Sequence, residues 1–448
     1  MSEIHVQEDS KKILHQIEED LYRPIKKHDQ GSVAWLVFVL TIVAVGFYAW
    51  THQLKVGLGV TGLRDYVSWG MYLGNFVFFV AVSLIGMLIS SVLQLLGYKW
   101  VTPITRIAEQ IAIAAVALAG IIIIMDMGRP DRVLNVIKNA RFASPILWDV
   151  TVITTYLTIS VLLIYLPLIP DLAMMSKRLT GIPLWQRKTY QILSLNWNGN
   201  EQQMQILKKA IRILLILIIP VALSIHTVTS WLFAATLRPG WDSTIFGPYF
   251  VTGAFVAGCA AVLIVMFVYR NRYGLHNYLE DKHFDLMCKL LVLTSLVYLY
   301  FNINEFLVPA YKMRKLEGAH IHELFSGKFA VMFYLVQVGG LILPIVLLLF
   351  KKMRKPVPAF IIAIVVLIAA WFKRYLIVVP TMLHPTLPIQ FVPENFSHYV
   401  PTGTEILVTS FSIGMAILII TILAKVFPVI PVWEYAHEKG VKEKDLFD

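Results

Sequence analysis

The sequence predicts an all-α integral membrane protein with ten transmembrane helices. Of its 448 residues, 57% are apolar and only 15% charged, with a mean hydropathy of +0.68; a soluble domain carries about a quarter charged residues. Ten separate runs approach the roughly 20 apolar residues needed to cross about 30 Å of hydrocarbon. Runs such as Ile111–Met125 lack the in/out alternation of a membrane β-barrel.

The runs fall at about 33–51, 66–96, 107–125, 148–169, 212–236, 246–269, 286–309, 328–350, 357–379 and 404–427. Residues 1–32 precede them as an amphipathic segment, with Ile13, Leu14, Ile17 and Leu21 on one helical face among charges. The first run reads as a retained anchor rather than a cleaved leader, because a long polar stretch lies ahead of it. The second run is overlong and is expected to tilt or to project from the bilayer. The connection at 170–211 carries Trp185 and Trp197 as interfacial anchors. Residues 380–403 contain five prolines and no Lys or Arg, and a loop of that length is expected to dock on protein. The ten spans occupy 33–430, and 431–448 form a tail.

Lys and Arg set the orientation. The connections sharing a side with both termini hold 24 of the 39 basic residues, and the opposite connections hold 11. Both termini and residues 1–32 and 431–448 are therefore expected in the cytoplasm of a multi-pass inner-membrane protein, bacterial or archaeal. The net charge of +11 then belongs against anionic lipid and not nucleic acid. Spans 2–5 and 6–9 read as two four-helix bundles flanked by spans 1 and 10. A faint repeat supports this: Trp69-Gly70-Met71-Tyr72 against Phe246-Gly247-Pro248-Tyr249, and Asp126 before Pro130 against Glu305 before Pro309.

Redox chemistry is bounded by the two cysteines, Cys259 and Cys288. There is no C-x-x-C-H for covalent haem and no thiolate set for an iron–sulfur cluster. His226 is the one histidine of twelve well inside a span, so a bis-histidine haem has no second ligand. Gly57-Leu58-Gly59-Val60-Thr61-Gly62 matches a dinucleotide fingerprint but follows no strand, which discounts it. His320 and His322 read as exposed loop residues. No metal site is expected.

Ionisable groups at membrane depth are costly and are paired or mark a pathway. Asp126 and Asp149 flank one hairpin at the end opposite the termini, with Arg129, Arg132 and Arg141 beside them. Span 2 brings Trp69, Tyr72 and Asn75 to the same level. These residues are either a rim of ion pairs or a pocket for a small amphipathic ligand, with carboxylates to move protons and aromatic walls. Glu305 on span 7 and Lys373 or Arg374 on span 9 lie at similar depth, as a structural pair or, with His226, part of a proton path.

With those residues in view, the chain resembles the NrfD/polysulfide reductase membrane-subunit family, in its ten-helix branch. Carrying the resemblance are Trp69–Ser90, Asp-Met-Gly-Arg-Pro-Asp at 126–131, Ser-Pro-Ile-Leu-Trp-Asp-Val at 144–150, His226–Trp231, Trp241–Phe250 and the tail Pro380–Glu434. It is similar to the quinone-binding subunits of alternative complex III, but has Leu84 and Asp126 where those subunits usually have histidine. The resemblance implies a haem-free subunit of a respiratory complex that binds menaquinone or ubiquinone near the outer face. An extracytoplasmic ferredoxin-like iron–sulfur subunit would exchange electrons with it, among further redox and membrane subunits, with coupling to proton translocation left open. Asp149 and Asp126 would handle protons, and Trp69, Tyr72, Asn75, Arg129 and Arg141 would hold the quinone. A secondary transporter that binds a solute through its intramembrane charges is the competing class.

Overall fold

A computed structural model describes residues 2–26, 29–387, 389–441 and 446–447, with side chains from residue 11 onward apart from residue 395. The parts of the 1–32, 380–403 and 431–448 expectations that fall on other residues lie outside that description. All regular elements among the described residues are helical.

Helix α1 (Ser2–Lys26) precedes ten helices long and apolar enough to cross a membrane. These are α2 (Gln30–Val56), α3 (Met71–Leu93), α4 (Thr102–Asp126), α5 (Pro145–Arg178), α7 (Glu201–Ala234), α8 (Phe246–Tyr273), α9 (Asp281–Lys312), α11 (Ala330–Leu349), α12 (Pro356–Met382) and α13 (Gly403–Val426). Between them lie α6 (Leu184–Leu193) and α10 (Lys315–Phe325), and α14 (Val432–Glu438) follows. The number of spans agrees with the sequence reading. Span 2 does not have its expected excess length. It starts at Met71, because Gly70 takes a non-helical conformation, and residues 66–69 belong to a loop.

Helices α3, α4, α5 and α7 pack as one four-helix bundle, and α8, α9, α11 and α12 as a second. The bundles meet through α3, which packs on both α8 and α12 and is buried over almost its whole length. Close approach is built in: a Cβ on Gly86 would lie 2.7 Å from the Ala112 methyl of α4. Just past Gly86 the helix widens into a π segment at Met87–Leu93, and α11 has another at Leu335–Ile342. Helices α2 and α13 pair along the flank, and α13 seats on α4 and α3.

Both ends of the chain lie at one end of the bundle. Leu14, Ile17 and Leu21 of α1 are buried while Ile13 is exposed, and α1 packs on α13 and α14. Arg178 donates to Glu18 at 2.9 Å, and Lys425 to the Pro24 carbonyl at 3.2 Å. A deeper pair lies inside: Arg106 Nη1 meets Asp171 at 2.6 Å, both fully buried. Asp171 also accepts the backbone N–H groups of Val432 and Trp433, which docks α14. The sequence reading had placed Arg106 and Asp171 in connections; both are within helices.

Candidate functional site

The site is built at the end opposite the termini, where α13 begins. Thr402 caps the helix and Glu405 closes the capping box. The Glu405 carboxylate is completely buried and accepts from Thr402 N–H (2.9 Å), Gly62 N–H (2.7 Å) and Tyr399 Oη (2.5 Å). Tyr399 Oη in turn accepts the Met71 N–H at 2.8 Å. Burial and the Glu405 carboxylate hold the Tyr399 phenol well above its ordinary pKa, so it stays a donor. The glycine-rich loop is thus tied to the start of α13. A Cβ on Gly62 would lie 2.4 Å from the Val400 carbonyl, so glycine alone lets the loop reach the carboxylate.

Asp126, at the last turn of α4, has Glu405 as its charged neighbour, and its Oδ1 is buried without a hydrogen-bond partner among the described residues. Beside it Gln53 donates to the Met125 carbonyl (2.8 Å) and accepts from Tyr72 Oη (2.7 Å). One turn further along α3, Asn75 donates to Thr409 Oγ1 at 2.8 Å and accepts from Trp371 Nε1 at 2.7 Å. Thr409 and Trp371 also line the top of an apolar slot of about 440 Å³, walled by Phe78, Phe79, Ile413 and other side chains of α3, α4, α8, α12 and α13. The arrangement joins a hydrophobic groove to a row of hydrogen-bonding groups that ends in two buried carboxyls.

Other expected residues lie elsewhere. Asp149 is buried on α5 and accepts from Thr229 of α7 at 2.5 Å; His226, one turn from Thr229, has its Nε2 buried without a partner among the described residues. Trp69 stacks on Trp241 (5.8 Å, 25°), whose Nε1 donates to the Ile377 carbonyl at 2.7 Å. Asp126 and Asp149 therefore belong to two different walls, although one hairpin joins them. Arg129 does not reach Asp126. Its guanidinium makes a bidentate contact with Asp131 (3.0 and 2.9 Å), two residues along, where both remain solvated. Arg141 is exposed. Short helical turns at Pro130–Arg132 and Asn135–Lys138 shape the hairpin, in which Arg132 and Arg141 are exposed.

In the second bundle Lys373 donates to Glu305 at 3.0 Å, both nearly buried, and its Nζ lies 4.7 Å from the Phe306 ring centre. The sequence had left Lys373 and Arg374 as alternatives, and Lys373 is the partner. Arg374 lies over Phe250 instead, with Nε unpartnered. Around them Tyr249 stacks on Tyr298 (5.2 Å), and Asn302 bonds Gln337 at 2.5 Å. His320 is buried rather than exposed, facing Gly240; burial, with His384 and Lys373 nearby, pushes its imidazole pKa down to about 3. Among the described residues no group of three metal-type ligands comes together.

Sequence reasoning missed Gln53, Tyr399, Glu405, Trp371 and Thr409. Glu405 had one signal, the Thr-x-x-Glu spacing of a capping box at the start of an apolar run.

Comparison with known proteins places this architecture. The family model described as polysulphide reductase, NrfD, matches residues 59–385. The chain belongs to the NrfD family. Among its relatives, a selenate reductase subunit of Mesobacillus selenatarsenatis is 23% identical over 89% of this chain and 95% of its own. The menaquinone reductase integral membrane subunit of Nitratidesulfovibrio vulgaris is 22% identical over 89% and 91%. A Halobacterium salinarum protein, provisionally named as a membrane subunit of dimethyl sulfoxide reductase, is 30% identical, but the match covers 52% of this chain and about half of the relative. This NrfD chain is thus a multi-pass membrane protein similar to membrane subunits of reductase complexes, and the glycine-rich loop of its site lies at the start of the matched region.

Proposed function

We propose that this NrfD-family chain is the haem-free quinone-binding subunit of a respiratory complex, exchanging electrons between membrane quinone and an extracytoplasmic iron–sulfur subunit docked on the Asp126–Asp149 end. One observation carries the reading: an apolar slot of about 440 Å³ rises to the Asn75–Trp371–Thr409 triad, with Tyr72, Gln53, Asp126 and Glu405 above it. An isoprenoid tail fits such a slot, and a two-electron quinone reaction needs a proton donor or acceptor at each headgroup oxygen. Asp126 serves one oxygen from the α4/α13 wall. Asp149, held by Thr229, serves proton movement on the α5/α7 wall, with His226 beneath it. Trp69 closes the aromatic side, while Arg129 and Arg141 face outward, where a docking subunit is met. The name of the Nitratidesulfovibrio relative favours menaquinone. Under the 24-to-11 basic-residue asymmetry, residues 1–32 and 431–448 are cytoplasmic and flank the 33–430 membrane domain of an inner-membrane protein.

The test uses the intact complex. Asp126→Asn and Asp149→Asn should each lower quinone-linked turnover by about 100-fold, the usual scale for loss of a proton-transfer group. The partner's activity with a dye that bypasses quinone should persist. Unchanged quinone kinetics in both variants would return the two carboxyls to structure.

A further inference from the structure

The end of the first bundle that holds the termini contains a second set of buried polar groups, which neither the quinone site nor the Glu305–Lys373 pair uses. Arg106 is committed there to Asp171 and to the carbonyls of Pro167 and Pro428. One turn along α4, Glu109 is 6% exposed, and among the described residues no salt bridge reaches its carboxyl. Arg106 lines the same void as Glu109, but its salt bridge goes to Asp171.

Glu109 is a shared wall of two small voids. The first lies toward the termini, lined by Thr105, Arg106, Pro431 and Glu434; the second lies deeper, lined by Gly86, Ser90, Tyr156 and Ser160. Each is about 10 Å³, close to the room of one water. Ser90 belongs to the π segment of α3 and faces the Glu109 carboxyl, yet its hydroxyl is fully buried with no well-aligned hydrogen bond. Tyr156, beyond it, donates to the Ser83 carbonyl at 2.6 Å. The charged groups facing Glu109 are Arg106 on its own helix and Glu434 on α14, while α7 lines the voids with Ile211, Leu215 and Ile218.

We infer that Glu109 is a proton-carrying carboxyl that links the end bearing both termini to the interior of the first bundle. A proton enters as the Glu434 O–H bond breaks and an O–H bond forms on Glu109, and it leaves as the Glu109 O–H bond breaks and one forms on a water in the second void beside Ser90. No electron moves in this step. The π segment carries Ser90 at the point where the second void begins. The proton's destination rests on the quinone reading; the exchange at Glu109 does not.

Two experiments test it. For the full chain in lipid nanodiscs, infrared difference spectra on transfer to D₂O should show a carboxylic C=O band that shifts in wild type, persists in Glu109→Asp and is missing in Glu109→Gln. Identical spectra for wild type and Glu109→Gln overturn the inference. For the intact complex in vesicles with a pH dye on the side of the termini, Glu109→Gln should lower quinone-linked proton uptake from that side by about 100-fold, with Glu109→Asp recovering part of it. Normal uptake in Glu109→Gln overturns the inference and leaves the quinone reading intact. Absence of quinone-linked turnover in the wild type would defeat that reading instead, and the infrared result still decides Glu109. Should Glu109→Gln fail to assemble, Glu434→Gln at the rim must show the slowed uptake; unchanged uptake in it overturns the path.

Discussion

At the scale of single residues, the polar groups inside the spans divide into committed pairs and loose ends. Lys373 and Glu305 are committed. Removing one partner of a buried pair leaves a charge with nowhere to go, at a cost of about 3–5 kcal/mol, whereas removing both is far cheaper. Glu305→Gln should therefore lower the melting temperature of the purified protein more than the double variant Glu305→Gln/Lys373→Met does. A double variant as unstable as the sum of its singles would show that the two groups do not interact. Asp126 Oδ1 and His226 Nε2 are loose ends, both buried without partners among the described residues. The sequence showed that Asp126 and Asp149 lie near one rim, because a carboxylate at the end of an apolar run is legible. It did not show that Arg129 would prefer Asp131. That choice follows from a bidentate fork two residues away, still in water.

At the scale of elements, two short segments set how the long helices meet. The loop before α3 reaches α13 through Gly62, whose N–H is given to Glu405. Gly62→Ala would place a methyl 2.4 Å from the Val400 carbonyl, and overpacking of this kind costs about 1–3 kcal/mol. We expect that variant to melt earlier and to bind quinone less tightly, as read by thermal scanning and quinone titration of the complex. Helix α14 is held at the other end by Asp171 and carries Glu434, whose pKa is pushed up to about 7 mainly by burial, then by Asp171 and Glu438, against Arg106. The folded protein thus binds this proton more tightly than the unfolded chain, whose value is near 4.5. Stability should decline as pH rises from about 4.5 to 7 and level off above that. Glu434→Gln should flatten this decline and melt later than wild type at pH 8. An unchanged pH profile would mean that Glu434 is solvated. The π segment of α3 had no sequence signal beyond Gly86 itself.

At the scale of the whole molecule, the even number of spans puts both termini at one end, and the basic residues predict which side that is. Reporter fusions after Arg238 and after Phe350 should report opposite sides, the first extracytoplasmic; the reverse result would move the proposed quinone site to the cytoplasmic face. Sequence alone determined the helical class, the number of crossings, the family and the rim where polar groups gather. Each of these follows from local facts: a long apolar run must span, and a polar residue at its end must sit near water. Only the tertiary structure decided which polar groups meet. Asn75 and Thr409 are 334 residues apart, and Gly62 and Glu405 are 343 apart. No local spacing encodes such partners, because they are chosen by which helices lie side by side, and lipid-facing and protein-facing sides of a uniformly apolar helix look alike in sequence.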